Sequence, residues 1–423
     1  MSIIKLKNRL TQLFNSNILE QQARSLGFTK RLRPNGVHPM ALVASLVAAL
    51  GKGNAKSIAD LHRQFNGMQL TEDDFVEYKP FHNQLKKQEF PKLMELLAKQ
   101  AMVQLAQGGN HETPEKFKRF KQVLLQDGSS LTLHAGLASV FPGRFTKTAP
   151  AAVECHMTMS LFAQAPTKMT IAADTKSEHD YVPQAHELAG SLLLADAGYV
   201  NLDNFASLAE HGAGFLVRGK KSLNPKIIEA YNGKGRRQAK VEGKRLKEVS
   251  RRTNRSEVLD MTVEWKKLRC RAIRRWFPEE RKYVIWLTNL ERDEFSAEEV
   301  MSFYRCRWQI ELLFKELKSD NNMKKFATQQ KAIVEGLIWA SLLTLILKRL
   351  VSKTAVKAVS WFKAAKNADV WFLPIMQALY QRELYDIEEQ IIWAFEYLKR
   401  NALPAQQSKS KQGKGFREIL AGL

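Results

Sequence analysis

Cysteine is nearly absent from this chain: three in 423 residues, Cys155, Cys270 and Cys306, far apart and in no CxxC pair. That excludes a disulfide framework and a zinc ribbon, and leaves three reduced thiols, at least one of them buried. Long hydrophobic runs are missing too. The longest, residues 336–347, follows Glu335 and falls well short of the roughly 20 residues a membrane span needs, so it reads as a buried helix and no membrane partner is expected. The opening MSIIKLKNRL has basic residues but no apolar run with a cleavage site, which makes the cytoplasm the expected compartment. Acid is also in short supply. Against 66 Lys and Arg stand 43 Asp and Glu, a formal charge of +23 that attracts polyanions over many ångströms. Nucleic acid is the partner class this implies.

The length calls for two or three domains with a sizeable core. Up to about residue 115 the spacing of apolar residues is helical, over 39–50, 57–65 and 81–100. A helix-turn-helix around the turn at residues 66–68 and a structural bundle fit this region equally. From Phe120 short β-rich runs begin, KQVLLQD, AVECHMTMSLF and KMTIAAD. A helical stretch at 183–189, the strand SLLLADAGY ending in Asp196, a helix over 202–210 and the strand GFLVRG follow. Strands followed by alternating helices predict a mixed α/β sheet with helices on its faces.

Residues 218–282, which hold about a third of all Lys and Arg, break that rhythm with a Gly-containing basic segment followed by TVEW, LRCRAIRRW and KYVIWLTNL, which read as antiparallel strands. A solvated charged loop is the ordinary meaning of such a run; Trp265, Trp276 and Trp286 among the charges favour an insertion that holds DNA, since aromatics stack on bases. Beyond residue 318 the chain reads as helical, with a core helix at 333–350, another at 387–398, and a polar, basic, flexible tail QQSKSKQGKG. The predicted division is therefore 1–115, a helical DNA-binding domain; 116–217 and 283–350, the α/β domain; 218–282, the basic insertion; and 351–423, a helical C-terminal region.

Asp127 closes the strand-like VLLQ before Gly128, Ser129 and Ser130, and Asp196 closes LLLA, so both are predicted at strand ends, where ligands of α/β sheets collect. An aspartate before such residues is also an ordinary turn signal. On one continuous helix over 304–318, Tyr304, Arg307, Glu311 and Lys318 share an arc of roughly 60°, beside an apolar arc that includes Cys306. That face suits phosphates; a surface helix with i,i+4 pairs such as Glu311 to Lys315 fits it as well. Asp174, Asp180 and Asp203 read as local turn or cap formers, and His134, His156, His179 and His186 lack metal-ligand spacing, although His186 could border the site.

The run YRCRWQIELLFKELK has the Tyr, Arg, Glu and Lys spacing of the YREK signature, and with LLQDGSSLTL, VFPG and LLLADAGYVNLDNFASLAEHGAGFLVRGK it resembles the DDE insertion-sequence transposases over residues 115–350. The resemblance implies an RNase H-like mixed sheet flanked by helices, interrupted by a β-rich insertion. It makes Asp127, Asp196 and Glu311 the catalytic, metal-binding carboxylates for two Mg²⁺ ions, with Mn²⁺ able to substitute. Tyr304, Arg307 and Lys318 match the residues that grip DNA phosphates, and Trp286 is the nearest candidate for holding a flipped base. The implied activity is cleavage of the element's ends and strand transfer into target DNA, by a homodimer associated with the nucleoid. A non-cutting DNA binder and a nuclease that does not join strands are the competing readings.

Overall fold

The computed structural model describes every residue except 1, 32–35, 108–112, 251–256, 266–267, 322, 324–327, 357–358, 405–415 and 423. The basic tail and parts of the basic segment lie outside the described residues. Helical periodicity builds α1 (Ile3–Leu13), α2 (Ser16–Ser25), α3 (Pro39–Gly51), α4 (Ile58–Asn66), α5 (Tyr78–Leu85) and α6 (Glu89–Ala106). The helix expected over 81–100 is in fact two, parted at residues 86–88. Pro91 forces the break: it has no N–H, and its ring would strike the carbonyl of Lys87, so it is tolerated only in a first turn.

The next strands are β1 (Val123–Thr132), β2 (Pro142–Phe145), β3 (Ala149–Ser160), β4 (Ala165–Ala173), β5 (Leu192–Ala195) and β6 (Gly214–Arg218), with α7 (Leu202–Glu210) crossing from β5 to β6. β3 lies antiparallel to β1 and to β4, whereas β1, β5 and β6 are parallel. The order β4-β3-β1-β5-β6, antiparallel on one side of β1 and parallel on the other, is the RNase H-like arrangement. Residues 183–189, expected as helix, form hydrogen-bonded turns in which Gln184 O accepts from the amides of Glu187 and Leu188. Gly190, at φ 74°, takes the left-handed conformation that stops a helix.

The insertion does not form a sheet of its own. β7 (Lys226–Asn232), β8 (Val258–Trp265), β9 (Leu268–Phe277) and β10 (Lys282–Thr288) are antiparallel and continue the same sheet, because β10 pairs with β6. Helices complete the chain: α8 (Ala297–Tyr304), α9 (Trp308–Asp320), α10 (Lys331–Ala355), α11 (Trp361–Lys366), α12 (Ala368–Trp371), α13 (Leu373–Tyr380), α14 (Ile387–Asn401) and α15 (Phe416–Ala421). α10 is buried from Ala332 to Ser352 except at Glu335, and packs against α6 and α3. Among the described residues no helix is long and apolar enough to cross a membrane.

Strand alternation assigns the two faces of the sheet. Val123, Leu125, Leu192 and Leu194 join one core with α8, α9 and α10, whereas Leu124, Leu193 and Ala195 join a second with Phe205 and Leu208 of α7. Asp127 and Asp196 stand two residues beyond Leu125 and Leu194, so both belong to the side that carries α8 and α9.

Candidate active site

The parallel ladder of β1 and β5 ends at the pair Gln126 and Ala195. Asp127 and Asp196 are the next residue on each strand, which brings two carboxylates together just past the point where the ladder stops. Asp196 ends its strand as predicted. Asp127 does not: β1 runs five residues further, because Gly128 to Thr132 pair with β3 instead of turning. Each carboxylate is oriented by the next amide, Gly128 N–H donating to Asp127 Oδ1 at 3.0 Å and Ala197 N–H to Asp196 Oδ1 at 2.7 Å.

The segment 304–318 is not one continuous α-helix either. A 3₁₀ turn at Arg305–Arg307 separates α8 from α9. Three residues at 3.0 per turn instead of 3.6 rotate Tyr304 roughly 60° relative to Glu311. Tyr304 therefore turns inward: it is buried, and its hydroxyl donates to Ala195 O at 3.3 Å and Asp196 Oδ1 at 3.4 Å. Arg307 lies between the other two acids, with Nη1 3.2 Å from Asp127 Oδ2 and Nη2 bonded to Glu311 Oε1. Lys318 Nζ donates to Ser130 O at 2.9 Å, three residues beyond Asp127 on β1. Glu311 thus pairs with Arg307, one turn back, and Cys306 is buried, as are Cys155 and Cys270.

Burial pushes the Asp127 carboxyl up to about 6; Arg307 and the Gly128 amide oppose this, while Glu311 and Asp196 add to it. Burial works against the Arg307 charge, but Tyr304 and the carboxylates of Asp127, Asp196 and Glu311 outweigh it. Three acids are gathered around one cation, and a hard carboxylate-oxygen donor set of this kind, without thiolate or imidazole, suits Mg²⁺ or Mn²⁺. Among the described residues no three such groups already converge on one point, and Arg307 holds the position between two of them. The donors fit the ions in chemistry, and Arg307 must yield for them to close around one.

Trp286 sits on β10, 7 % exposed, with its ring edge-on to Tyr304 at 6.4 Å. A base could stack on it only if the indole left that packing. Trp308 escaped the sequence reading: next to Arg307, it is 63 % exposed, and Leu312 one turn on is exposed as well. Both fall outside the apolar arc and the phosphate-facing arc of the segment, so helical periodicity gave neither a role. Glu154, buried on β3, was missed because its apolar neighbours gave no sign of a site, and His156, set aside for want of metal-ligand spacing, is buried with it. Asp174, expected in a local turn, is buried and accepts from the Ser130 hydroxyl and from Arg144 N–H at 3.1 Å. Arg271 and Arg274 of the basic insertion face inward, Arg271 forked on Asp260 and Arg274 donating to Val249 O at 2.9 Å.

The sequence profile of the transposase DDE domain matches residues 118–347, more than half of the chain. The chain belongs to that family. Among its relatives, the transposase of insertion sequence element IS421 of Escherichia coli is 43 % identical over 65 residues, 15 % of this chain and 18 % of that protein. The transposase of IS1151 of Clostridium perfringens is 23 % identical over 312 residues, 63 % of this chain and 66 % of the relative, and that of IS231E of Bacillus thuringiensis subsp. finitimus is 19 % identical over 338 residues, 69 % and 70 %. The chain thus spans about a fifth of the length of its Escherichia coli relatives and about two thirds of the others. A piggyBac transposase synaptic complex with hairpin DNA, solved by cryo-EM, aligns with a TM-score of 0.47 at 11 % identity over 97 % of this chain and 87 % of that one.

Proposed function

We propose that this chain is a transposase that binds the ends of its insertion sequence, cleaves DNA strands there and joins them to target DNA. The observation that carries this is the meeting of Asp127 and Asp196, on one face past the end of a parallel ladder, with Arg307 and Glu311 of the signature segment. Asp127, Asp196 and Glu311 are the residues that would hold two Mg²⁺ ions, which when bound supply a more nucleophilic water or 3′-hydroxyl and stabilise charge on the departing oxygen. Gly128 and Ala197 amides orient two of the carboxylates. Arg307 holds Asp127 and Glu311 together here, and its guanidinium would turn to a DNA phosphate if those carboxylates were engaged by metal. Tyr304 braces Asp196 through its hydroxyl, and Lys318 stands ready for a second phosphate. Trp308 offers the exposed stacking face beside the site; Trp286 takes a base only after leaving its packing. Two copies of the chain bridging two ends complete the proposal.

Purified protein incubated with its own element's end DNA, a target plasmid and Mg²⁺ tests it, with Glu311→Gln alongside. Wild type should nick the ends and join them to the plasmid, and the variant should be slower by at least about a hundredfold. Wild-type cleavage rates from Glu311→Gln would refute the assignment of that carboxylate; nicking without joined products would make the chain a nuclease, and binding without nicking a DNA binder.

A further inference from the structure

Both site aspartates are followed closely by a glycine, Gly128 directly after Asp127 and Gly198 two residues after Asp196. A carboxylate is seated against each. A methyl group on Gly128 would lie 2.5 Å from Glu154 Oε1, and one on Gly198 would overlap the Glu178 carboxylate. Contacts that short do not persist between real atoms, so the strand at Gly128 and the turn at Gly198 are each closed by a glutamate that only a bare Cα admits.

Glu154 approaches from the side of β1 opposite Asp127. Along the β1 and β3 register, Gly128 faces His156 and Ser130 faces Glu154, the alternate set to Asp127 and Met157. A polar cluster surrounds Glu154, and Glu178 joins it through the turn it shares with Tyr181. Tyr199, in the 3₁₀ turn Ala197–Tyr199 that contains Gly198, places its hydroxyl 3.3 Å from His156 Nδ1. His156 stacks on Tyr181 at 3.9 Å between ring centres, and Tyr181 shares the turn Glu178–Tyr181 with Glu178. Arg144 Nη2 donates to Glu154 at 3.4 Å and to Asp174 O at 2.9 Å. His156 Nε2 is buried without a hydrogen-bond partner and lies 3.9 Å from Glu154 Oε2.

We propose that Glu154 and Glu178 are positioning residues for the reaction, wedged against Gly128 and Gly198 so that the amides orienting Asp127 and Asp196 keep fixed places. This rests on the transposase reading of the site. The amide that aims Asp127 belongs to Gly128 itself, and the one that aims Asp196 belongs to Ala197, beside Gly198. A backbone that relaxes into the space left by either glutamate therefore turns a site carboxylate.

The test uses the full chain with Glu154→Ala, Glu178→Ala, the isosteric Glu154→Gln and Glu178→Gln, and Gly198→Ala, which pushes Glu178 from its seat without removing it. Amide hydrogen exchange over residues 123–132 and 192–199 is measured in chelator, without DNA, and kcat and KM are measured for cleavage of end DNA with Mg²⁺. The Ala variants and Gly198→Ala should exchange about tenfold faster in the adjoining segment. They should lose about tenfold or more in kcat at unchanged KM. The Gln variants, equal in volume, should stay within about threefold of wild type in both. Unaltered exchange in the Ala variants and in Gly198→Ala overturns the proposal, as does a Gln variant as impaired as its Ala counterpart. Should an Ala variant not fold, the Gln variants and Gly198→Ala decide alone. A wild type that exchanges as described but cleaves no DNA counts against the transposase reading, and the exchange arm then judges the wedge.

Discussion

Arg307 carries the electrostatic balance of the site. Its guanidinium offsets Asp127 and Glu311 directly, and without it three acids would face one another in a partly buried pocket. Behind β1 a similar imbalance remains. Burial, then Glu178, with smaller pushes from Asp174 and Asp127 against the pull of Arg144, raises Glu154 from 4.5 to about 7. The same burial, aided by Arg144, lowers His156 to about 4, so the imidazole beside it is neutral at neutral pH. A carboxyl held higher in the folded chain than in the unfolded one keeps a proton that the unfolded chain gives up. Through Glu154 the stability should therefore fall as pH rises from about 4.5 to about 7, whereas the lowered His156 contributes the opposite slope from about 4 to about 6.5, so only the difference between wild type and a Glu154 variant isolates the carboxyl. Glu154→Gln removes that dependence. Its unfolding free energy, read from urea titration, should match wild type near pH 4 and exceed it at pH 8 by on the order of 2 kcal/mol. Equal free energies at pH 8 would show that the cluster already compensates the Glu154 charge.

At the level of elements, unequal strand lengths and a broken helix make the site. β5 stops at Ala195 while β1 runs on to Thr132, and this leaves Asp127 uncovered on its parallel side. The 3₁₀ turn at Arg305–Arg307 lets one segment offer Tyr304 inward to Asp196 and Glu311 outward. α10 packs against α9 and α6, and at Gly336 a methyl group would collide with the Phe90 ring of α6. Alanine is the better helix former by about 1 kcal/mol, but forcing a methyl into a packed helix crossing costs more. Gly336→Ala should therefore lower unfolding stability by roughly 1–2 kcal/mol in urea titration. A variant more stable than wild type would mean that the two helices separate without penalty.

Across the whole molecule, the excess of 23 positive charges is unevenly spent. Arg271 and Arg274 neutralise or cap groups inside the extended sheet, whereas Lys234, Arg236, Lys240 and Lys247 are exposed on the insertion. If these four meet phosphates, changing all of them to Gln should weaken end binding and reduce the slope of log affinity against log salt by about 3.6. Measured by fluorescence anisotropy over a salt series, an unchanged slope would remove the insertion from the DNA-binding surface.

The sequence by itself determined the alternation of strands and helices, the parity that points Asp127 and Asp196 to one face, the acid between two basic residues on the signature segment, and the basic character of the insertion. These are local properties: a period of two or of 3.6, a spacing, a charge count. Even the split between α5 and α6 was written locally, in Pro91. What tertiary structure decided depends on partners distant in the chain. β3 pairing turned Gly128, Ser129 and Ser130 from an expected turn into strand, and Asp196, in contact with Tyr304 from 108 residues away, shares that tyrosine's inward turn. Exposure followed the same rule, covering Trp286 and leaving Trp308 open, although the two residues carry the same side chain. The seats of Glu154 and Glu178 were invisible for the same reason, since a glycine announces a missing side chain but not which distant group will fill its place.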